Sequence, residues 1–221
     1  MEIKRISIFS GHYGSGKTNI AVNFALYLKS LGKDVVIYDL DIVNPYFRTV
    51  DAENTLKKAG VGLIVSPYAE TNVDIPAMNA ASYKMVDDKN TYAVIDLGGD
   101  DRGALALGRF SDKIKEENNY DMFLVVNPFR PETRDYSGLK VVKEEIELSG
   151  RIKFTGIVNN ANLGGETTVE TIKEGENFCK KFSETEKIPT SFTCVKSDLF
   201  EKTKNEFKDV LKLDLINYGT Y

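Results

Sequence analysis

Short apolar runs alternate with longer amphipathic stretches along the whole chain. Most of the short runs are continuously apolar, as expected for strands that are buried on both faces of a parallel sheet. The longer stretches carry apolar residues three and four positions apart, which is the spacing of amphipathic helices. This alternation predicts an α/β fold: one doubly wound, mostly parallel sheet of seven or more strands with helices on both faces. The predicted strands are Ile3–Ser10, Asp34–Leu40, Val61–Ser66, Tyr92–Leu97, Met122–Asn127, Lys153–Asn159 and Pro189–Val195.

Four amphipathic helices are predicted between and after these strands. In the first, Ile20, Phe24 and Leu28 form one apolar stripe, and Gly32 follows as a residue that tolerates the left-handed conformation of a helix end. The last mixes lysines with acidic residues, whereas helices on lipid surfaces are predominantly basic, so we expect it to pack on the domain. The predicted helices are Thr18–Leu31, Arg134–Leu148, Val169–Phe182 and Leu199–Leu213. Because no low-complexity linker or repeat interrupts the pattern, residues 1–221 are predicted to form a single domain.

Charge and cysteine content narrow the classes of function. The 221 residues include 29 basic and 33 acidic side chains, a net charge of −4, which disfavours a protein held to nucleic acid or anionic lipid by bulk charge. No apolar run approaches the roughly 18 residues of a membrane-spanning helix. The first residues lack the apolar core of a signal peptide, so we expect a soluble, cytoplasmic protein. Cys179, Cys194 and a single histidine are too few for a disulfide framework or a zinc or iron–sulfur site within one chain.

The strongest chemical signal is the segment Gly11–Thr18, which reads Gly-His-Tyr-Gly-Ser-Gly-Lys-Thr. It matches the G-x-x-x-x-G-K-[ST] phosphate-binding loop (P-loop) and lies between the first strand and the first helix, as that motif requires. Glycines let the backbone curl so that its N–H groups point at phosphate oxygens, and the helix adds the positive end of its dipole. Lys17 is predicted to bridge the β- and γ-phosphates and Thr18 to bind Mg²⁺; a glycine-rich turn without a ligand is the alternative. The predicted nucleotide-binding residues here are Gly11, His12, Tyr13, Gly14, Ser15, Gly16, Lys17, Thr18 and Asn19.

Three aspartates at predicted strand ends complete the candidate site. Asp39 and Asp41 close the second strand, where residues two apart point to one face, at the edge where doubly wound folds bind ligands. Asp96 closes another strand and begins Asp-Leu-Gly-Gly, in which Gly99 is predicted to offer its N–H to a γ-phosphate. Mg²⁺ takes one or two carboxylates plus waters and phosphate oxygens, so we assign Asp39 and Asp96 to the metal. Asp41 is predicted to orient the attacking water and to act with Lys17 in catalysis; the alternative is that these aspartates only cap loops.

Together these residues resemble the MinD/ParA-like ATPases, a P-loop group that includes nitrogenase iron protein, Mrp-type iron–sulfur carriers, nickel-insertion ATPases and CobQ/CobB domains. The likeness covers nearly the whole chain, and the stretch from Asp39 to Tyr46 is closest to the Mrp-type switch, with Asn44 in place of a glycine. In that family an asparagine ending a late strand binds adenine, which implies Asn160 here, with Asn159 as the second choice. An amide can pair with the adenine edge through one donor and one acceptor. Because the N-K-x-D pattern of many guanine-specific enzymes is missing, the resemblance implies ATP rather than GTP.

Two departures from this family bear on the mechanism. The family's signature lysine, which reaches across a nucleotide-sandwiched homodimer, would fall at position 12, where this chain has His12. Neutral histidine lacks that constant positive charge, which protonation would restore; a solvent-facing loop residue is the equal alternative. The metal-carrying branches use cysteines at the dimer seam. Since none lies near Asp96 or in the Mrp-like switch, we expect no iron–sulfur or nickel cargo bound by this chain alone.

Three functions fit these residues. The leading hypothesis is a Mg²⁺-dependent ATP-binding switch with slow hydrolysis: ATP orders segments 39–48 and 96–102, and an unidentified protein partner reads the change. The first alternative is an ATP-dependent ligase or small-molecule kinase of the dethiobiotin synthetase or CobQ/CobB type, and the second is a nucleotide-bound adaptor without hydrolysis. Candidates for an acceptor pocket are Tyr46, Phe47, Tyr68, Asp100, Asp101 and Arg102. Candidates for γ-phosphate sensing or partner contact are Arg48, Arg102, Arg130 and Arg134.

Overall fold

Eight strands form one sheet in the computed structural model, which describes residues 2–41, 49–65, 80–99 and 101–214. The strands are β1 (Ile6–Ser10), β2 (Val35–Leu40), β3 (Gly62–Val65), β4 (Tyr92–Leu97), β5 (Tyr120–Val126), β6 (Gly156–Asn159), β7 (Thr190–Lys196) and β8 (Val210–Leu213). Their spatial order is β3-β2-β4-β1-β5-β6-β7-β8, and every neighbouring pair is parallel. The sheet is therefore of the doubly wound type that the alternating pattern predicted.

Helices connect the strands in the described part of the chain. They are α1 (Lys17–Ser30), α2 (Glu53–Ala59), α3 (Ala80–Asp87), α4 (Asp101–Gly108), α5 (Ser111–Glu117), α6 (Tyr136–Gly150), α7 (Val169–Glu186) and α8 (Ser197–Thr203). Short 3₁₀ turns occur at Thr49–Ala52, Pro131–Thr133 and Gly164–Glu166. α1 ends at Ser30, one residue before the predicted end, and Gly32 takes a φ of 77° that closes the helix. No helix in these ranges combines the length and the apolar character needed to cross a membrane.

Both faces of the sheet are covered by helices. Successive residues of a strand point to opposite faces, so Ile8 belongs to one core and Phe9 to the other. The first core contains side chains of α3 to α7, and the second contains those of α1 and α2. In the second core the rings of Phe9 and Phe123 stack at a centroid distance of 5.2 Å, and Phe24 stacks on Phe192 at 6.1 Å.

All seven predicted strands are present, with ends that shift by up to three residues, and the predicted α/β class is confirmed. The helix predicted over Leu199–Leu213 is wrong. Only α8 is helical there, and β8 adds an eighth strand in which Leu211 and Leu213 are buried on either side of exposed Lys212. This alternation has the period of a strand, and β8 pairs with β7 at the edge of the sheet. That residues 1–221 form a single domain stays a prediction.

The sheet topology fixes where a ligand can bind. From β1 the chain moves to β2 and β3 on one side, returns to β4 beside β1, and then continues to β5 on the other side. The direction of the crossover connections therefore reverses next to β1. In doubly wound sheets, ligands bind in the crevice at the carboxyl ends of the strands at such a reversal. The loop after β1 lies in that crevice.

Candidate functional site

The P-loop joins β1 to α1, and its backbone takes positive φ angles at three glycines. The φ angle is 155° at Gly11, 74° at Gly14 and 89° at Gly16. An added Cβ would lie 2.5 Å from the carbonyl oxygen of Val125 at Gly11, and 2.3 Å from Asn160 Nδ2 at Gly16. The backbone conformation therefore favours glycine at both positions, and at Gly11 the backbone of Val125 also leaves no space for a side chain. α1 starts directly after the loop, so its unpaired N–H groups lie at the candidate phosphate site.

Lys17, the first residue of α1, forms a buried ion pair with Asp41. The two atoms Lys17 Nζ and Asp41 Oδ2 are 3.0 Å apart, and both side chains are only 4% exposed. A charge that is buried to this extent is stable only beside an opposite charge. In the structure, the lysine predicted to contact phosphate is thus neutralised by the aspartate predicted to orient water.

Asp39 and Asp96 lie side by side at the ends of neighbouring strands. They are Cα partners in the register of β2 and β4, and both are buried. Asp39 Oδ1 accepts a hydrogen bond from the backbone N–H of Asp41 at 3.1 Å. The structure therefore brings the three predicted aspartates to one edge of the sheet, beside the first turn of α1.

Asp96 is the most deeply buried of these carboxylates. Burial raises the pKa of Asp96 to about 6; the positive charge of Lys17 opposes this shift, and the negative charge of Asp41 adds to it. The nearby hydroxyls of Thr18 and Thr49 favour the ionised form. Thr49 Oγ1 donates a hydrogen bond to Asp96 Oδ2 at 2.9 Å. One carboxylate oxygen of Asp96 is therefore fixed by a threonine that no motif in the sequence indicates.

The donor atoms around Asp96 suit a hard divalent cation. Asp96 Oδ1 is buried and has no hydrogen-bond partner among the described residues. Thr18 is also buried and lies near Asp96. Mg²⁺ binds oxygen ligands and takes only one or two carboxylates from the protein, so this set fits Mg²⁺. Within the described ranges, no group of three or more His, Cys, Asp or Glu side chains is placed to hold a metal ion by itself.

Gly99 brings the segment after β4 against the P-loop. An added Cβ at Gly99 would lie 2.1 Å from the carbonyl oxygen of Gly11. One residue earlier, an added Cβ at Gly98 would lie 3.2 Å from Asp41 Oδ1, and the Ser10 hydroxyl donates a hydrogen bond to the Gly98 carbonyl at 3.4 Å. The starts of both predicted switch segments therefore contact each other at the P-loop.

Asn160 connects the end of β6 to the P-loop. Its backbone N–H donates to the carbonyl of Val126 at 2.8 Å, and its Nδ2 donates to the carbonyl of Ser15 at 2.6 Å. Asn160 Oδ1 makes no hydrogen bond to any described residue. Beside this side chain is a cleft of about 150 Å³. The cleft is lined by Gly14, Gly16, Asn19, Arg130, Asn160, Ala161, Asn162, Thr167, Ile172, Cys194, Lys196 and Leu213.

Asn159, the second choice from the sequence, does not line this cleft. Its Nδ2 donates to the carbonyl of Ile172 in α7 at 3.1 Å, and its Oδ1 accepts from the N–H of Ala161 at 3.1 Å. Both ends of the Asn159 amide are therefore occupied: Nδ2 holds α7 against β6, and Oδ1 binds the loop that follows β6. The structure places Asn160, and not Asn159, at the cleft beside the P-loop.

Arg130 covers the P-loop from the segment after β5. Its Nε donates to the carbonyl of Gly14 at 3.0 Å. The segment is held by buried Asn127, whose Oδ1 accepts from the N–H of Phe129 at 3.2 Å and whose carbonyl accepts from the Thr133 hydroxyl at 2.8 Å. Of the four candidate arginines, Arg130 thus contacts the candidate site, whereas Arg134 is exposed at the end of a 3₁₀ turn. Residues 42–48, which include Arg48, lie outside the described residues, as does the side chain of Arg102.

The remaining predicted contact residues in the P-loop segment are His12, Tyr13 and Asn19. His12 Nδ1 lies 3.0 Å from the carbonyl oxygen of Tyr13 and 3.7 Å from Glu132 Oε2. The Tyr13 ring is 57% exposed, and Asn19 lines the cleft beside Asn160. The acceptor-pocket candidates of the ligase or kinase alternative, Tyr46, Phe47, Tyr68, Asp100, Asp101 and Arg102, fall outside the described side chains.

The fold and this loop define the class of the protein as a P-loop nucleotide-binding domain. The CobQ/CobB/MinD/ParA nucleotide-binding domain matches residues 6–169. The chain belongs to this family, as its resemblance to the MinD/ParA-like proteins implied. Among curated proteins, the sequence has no significant match.

Solved structures share the fold at low sequence identity. The cell division protein FtsY from Thermotoga maritima has a TM-score of 0.60 and 18% identity, over 86% of this chain and 61% of that one. FtsY from Mycoplasma mycoides gives 0.55 and 19%, over 86% and 59%. The 54 kDa signal recognition particle protein from Aeropyrum pernix, solved with GDP, gives 0.56 and 17%, over 87% and 41%. The chain thus spans less than two thirds of each of these proteins.

Proposed function

We propose that the protein is a Mg²⁺-dependent ATP-binding switch with slow ATP hydrolysis, whose state is read by a partner protein. The observation that carries this proposal is the buried ion pair between Lys17 and Asp41. A phosphate bound in the P-loop competes with Asp41 for the Lys17 ammonium group. Asp41 is the residue that precedes segment 42–48, so this exchange of partners couples nucleotide binding to the start of the first switch segment.

Mg²⁺ is part of the proposal because the oxygen donors at the site fit it. Thr18 would bind the ion directly, and Asp39 and Asp96 would hold its water shell. When bound with nucleotide, Mg²⁺ neutralises negative charge on the β- and γ-phosphates. The residues of the chain would supply the rest: Lys17 would bind the same phosphates, and Gly99 would offer its N–H to the γ-phosphate. Asp41, once separated from Lys17, orients the attacking water.

Adenine is favoured over guanine by the position of Asn160. One hydrogen of its amide is used by the Ser15 carbonyl, whereas Oδ1 makes no hydrogen bond to the described residues. A carbonyl oxygen accepts from the exocyclic amine of adenine, while guanine presents an oxygen at the same ring position. The sequence predicted that both the donor and the acceptor of the Asn160 amide contact the base. In the present proposal Oδ1 contacts the base, while Nδ2 donates to Ser15.

Slow turnover is part of the proposal because of His12, the residue that follows Gly11 in the P-loop motif. His12 stands where the family has its signature lysine, and its Nδ1 lies near the Tyr13 carbonyl and Glu132. A neutral imidazole does not supply a permanent positive charge to a partner's phosphates. Light scattering with and without ATP tests whether a nucleotide-dependent homodimer forms at all.

Calorimetry with purified protein tests the proposal. We expect ATP to bind in the presence of Mg²⁺, more weakly in EDTA, and GTP to bind more weakly than ATP. Lys17→Ala should abolish binding, whereas Lys29→Ala, at the other end of α1, should bind as the wild type does. The proposal is wrong if the wild type shows no Mg²⁺-dependent ATP binding, or if Lys17→Ala binds as tightly as Lys29→Ala.

A further inference from the structure

A buried hydrogen bond joins Thr49, the residue that follows the first switch segment, to Asp96 in strand β4. Thr49 Oγ1 donates to Asp96 Oδ2 at 2.9 Å, and both residues are fully buried. Thr49 is the first residue of the 3₁₀ turn Thr49–Ala52, which leads directly into α2. Asp96 is the fifth residue of β4 and lies 47 positions further along the chain.

The bond constrains the carboxylate in a specific way. The two oxygens of an aspartate turn together about one bond, so fixing Asp96 Oδ2 also fixes the direction of Asp96 Oδ1. That second oxygen is buried and has no hydrogen-bond partner in the described part of the chain. A buried polar atom without a partner normally costs free energy, which favours a ligand that would pair with it. Thr49 is therefore placed to present Asp96 Oδ1 to an incoming group.

We propose that Thr49 is a positioning residue for Mg²⁺: it orients Asp96 toward the hydrated ion and thereby links the first switch segment to the metal. This inference rests on the proposed function. It predicts that ATP and Mg²⁺ tighten the connection between the turn at Thr49 and strand β4. It adds to the aspartates a residue that no motif in the sequence indicates.

The opposing view is that the Thr49 hydroxyl only stabilises the fold, as many buried hydroxyls do. The two roles predict different results when Mg²⁺ is varied. A purely structural bond changes the unfolding midpoint and leaves the Mg²⁺ dependence of nucleotide binding unchanged. A positioning bond changes the Mg²⁺ concentration at which ATP binding is half-maximal, while ATP affinity in EDTA stays the same.

The experiment compares Thr49→Val, which keeps the shape and removes the hydroxyl, with Thr49→Ser, which keeps the hydroxyl. ATP affinity is measured by calorimetry in EDTA and across a Mg²⁺ titration. We expect the half-maximal Mg²⁺ concentration of Thr49→Val to rise about tenfold, because a hydrogen bond to a charged group is lost. Thr49→Ser should stay within about twofold of the wild type, and all three proteins should bind ATP alike in EDTA.

The other possible results separate failure of this inference from failure of the proposed function. An unchanged Mg²⁺ response of Thr49→Val, with Mg²⁺-dependent binding by the wild type, overturns this inference alone. A wild type that binds no ATP overturns the proposed function, and this inference with it. If Thr49→Val does not fold, Thr49→Ala removes the same hydroxyl and is tested in its place. Failure of both variants to fold would also overturn the inference, since the bond would then serve the fold itself.

Discussion

Asn160 Nδ2 donates a 2.6 Å hydrogen bond to the carbonyl oxygen of Ser15. This contact joins the strand end at which a base would bind to the loop at which phosphates would bind. Gly16 permits it, because an added Cβ at that position would lie 2.3 Å from the same nitrogen. In the proposed function, recognition of the base and the shape of the P-loop are therefore coupled through one amide group.

Replacing the Asn160 amide should weaken ATP binding and reduce the preference for adenine. We expect Asn160→Ala to bind ATP about tenfold more weakly, because hydrogen bonds of the amide are lost. It should also lose the preference for ATP over inosine triphosphate, which lacks the exocyclic amine that Asn160 Oδ1 would accept. Competition calorimetry measures the ratio directly. Asn159→Ala serves as the control: it should lower stability, since Asn159 holds α7, and keep the preference. An unchanged ratio for Asn160→Ala would show that the base is read elsewhere.

Breaking the ion pair between Lys17 and Asp41 should lower the stability of the protein and raise its affinity for ATP. Asp41→Asn leaves Lys17 buried without its carboxylate, so we expect the free energy of unfolding of the nucleotide-free protein to fall by about 3 kcal/mol. The same change should raise ATP affinity about tenfold, because phosphate no longer competes with a carboxylate, and should lower turnover.

Asp39→Asn is the matched variant for this experiment. It keeps the pair between Lys17 and Asp41, and its side-chain oxygen still accepts from the Asp41 N–H. We therefore expect near wild-type stability and weaker Mg²⁺-dependent binding. Urea unfolding measures the stability of both variants, and calorimetry measures their ATP affinity. Equal or weaker ATP affinity of Asp41→Asn would contradict the idea that the pair opposes phosphate binding.

A methyl group at the second switch should disrupt the P-loop. Gly99→Ala would place its Cβ 2.1 Å from the Gly11 carbonyl oxygen, and neither partner is a flexible side-chain end. We expect the free energy of unfolding to fall by about 2 kcal/mol, the usual range for overpacking. ATP binding should fall with it, because the loop must move. Gly165→Ala is the control, since nothing lies within 4 Å of its added Cβ. If the two variants bind ATP equally well, the contact does not shape the loop.

The sequence predicts those parts of the site whose residues lie close together along the chain. The P-loop needs only β1, six loop residues and the start of α1, so its motif is contained in one short segment. Asp39 and Asp96 follow from the ends of apolar runs, and their adjacency follows from parallel strands ending at one edge. The family match agrees with this local signal.

Contacts between distant segments could not be predicted in this way. The partners are 47 positions apart for Thr49 and Asp96, and 116 for Arg130 and Gly14. They depend on the order of the strands in the sheet, which spacing does not reveal. The ion pair between Lys17 and Asp41 could not be predicted either. The sequence placed both residues at the site, but it assigned Lys17 to phosphate and Asp41 to the attacking water.

The C-terminal error has a different physical cause. Short elements give too few turns for a period to be recognised, and α8 has seven residues and β8 four. Leu199, Thr203 and Val210 have the spacing of one continuous helix, but α8 ends at Thr203. Only the alternation of Leu211, Lys212 and Leu213 indicates a strand, and pairing with β7 is what makes that strand stable.

Far from the P-loop, the pair between Arg5 and Glu117 should control stability in acid. The Arg5 guanidinium is 5% exposed, contacts the Glu117 carboxylate, and also donates to three backbone carbonyls. Burial by itself would raise the pKa of Glu117, but hydrogen bonds and charges from Arg5 and Lys89 hold it below its ordinary value. Since the pKa is lower in the folded state, this pair stabilises the protein above about pH 4.5, and its contribution is lost as the pH falls through the folded value.

Glu117→Gln removes the carboxylate and leaves Arg5 buried without its counter-charge. We expect the free energy of unfolding at pH 7 to fall by about 3 kcal/mol, as for other broken buried pairs. The variant should also lose part of the decline in stability that the wild type shows as the pH falls below about 4.5. Urea unfolding at several pH values measures both effects, with Glu116→Gln, an exposed neighbour in α5, as the control. Parallel pH curves for wild type and Glu117→Gln would contradict the assignment, because the titrating group would then lie elsewhere.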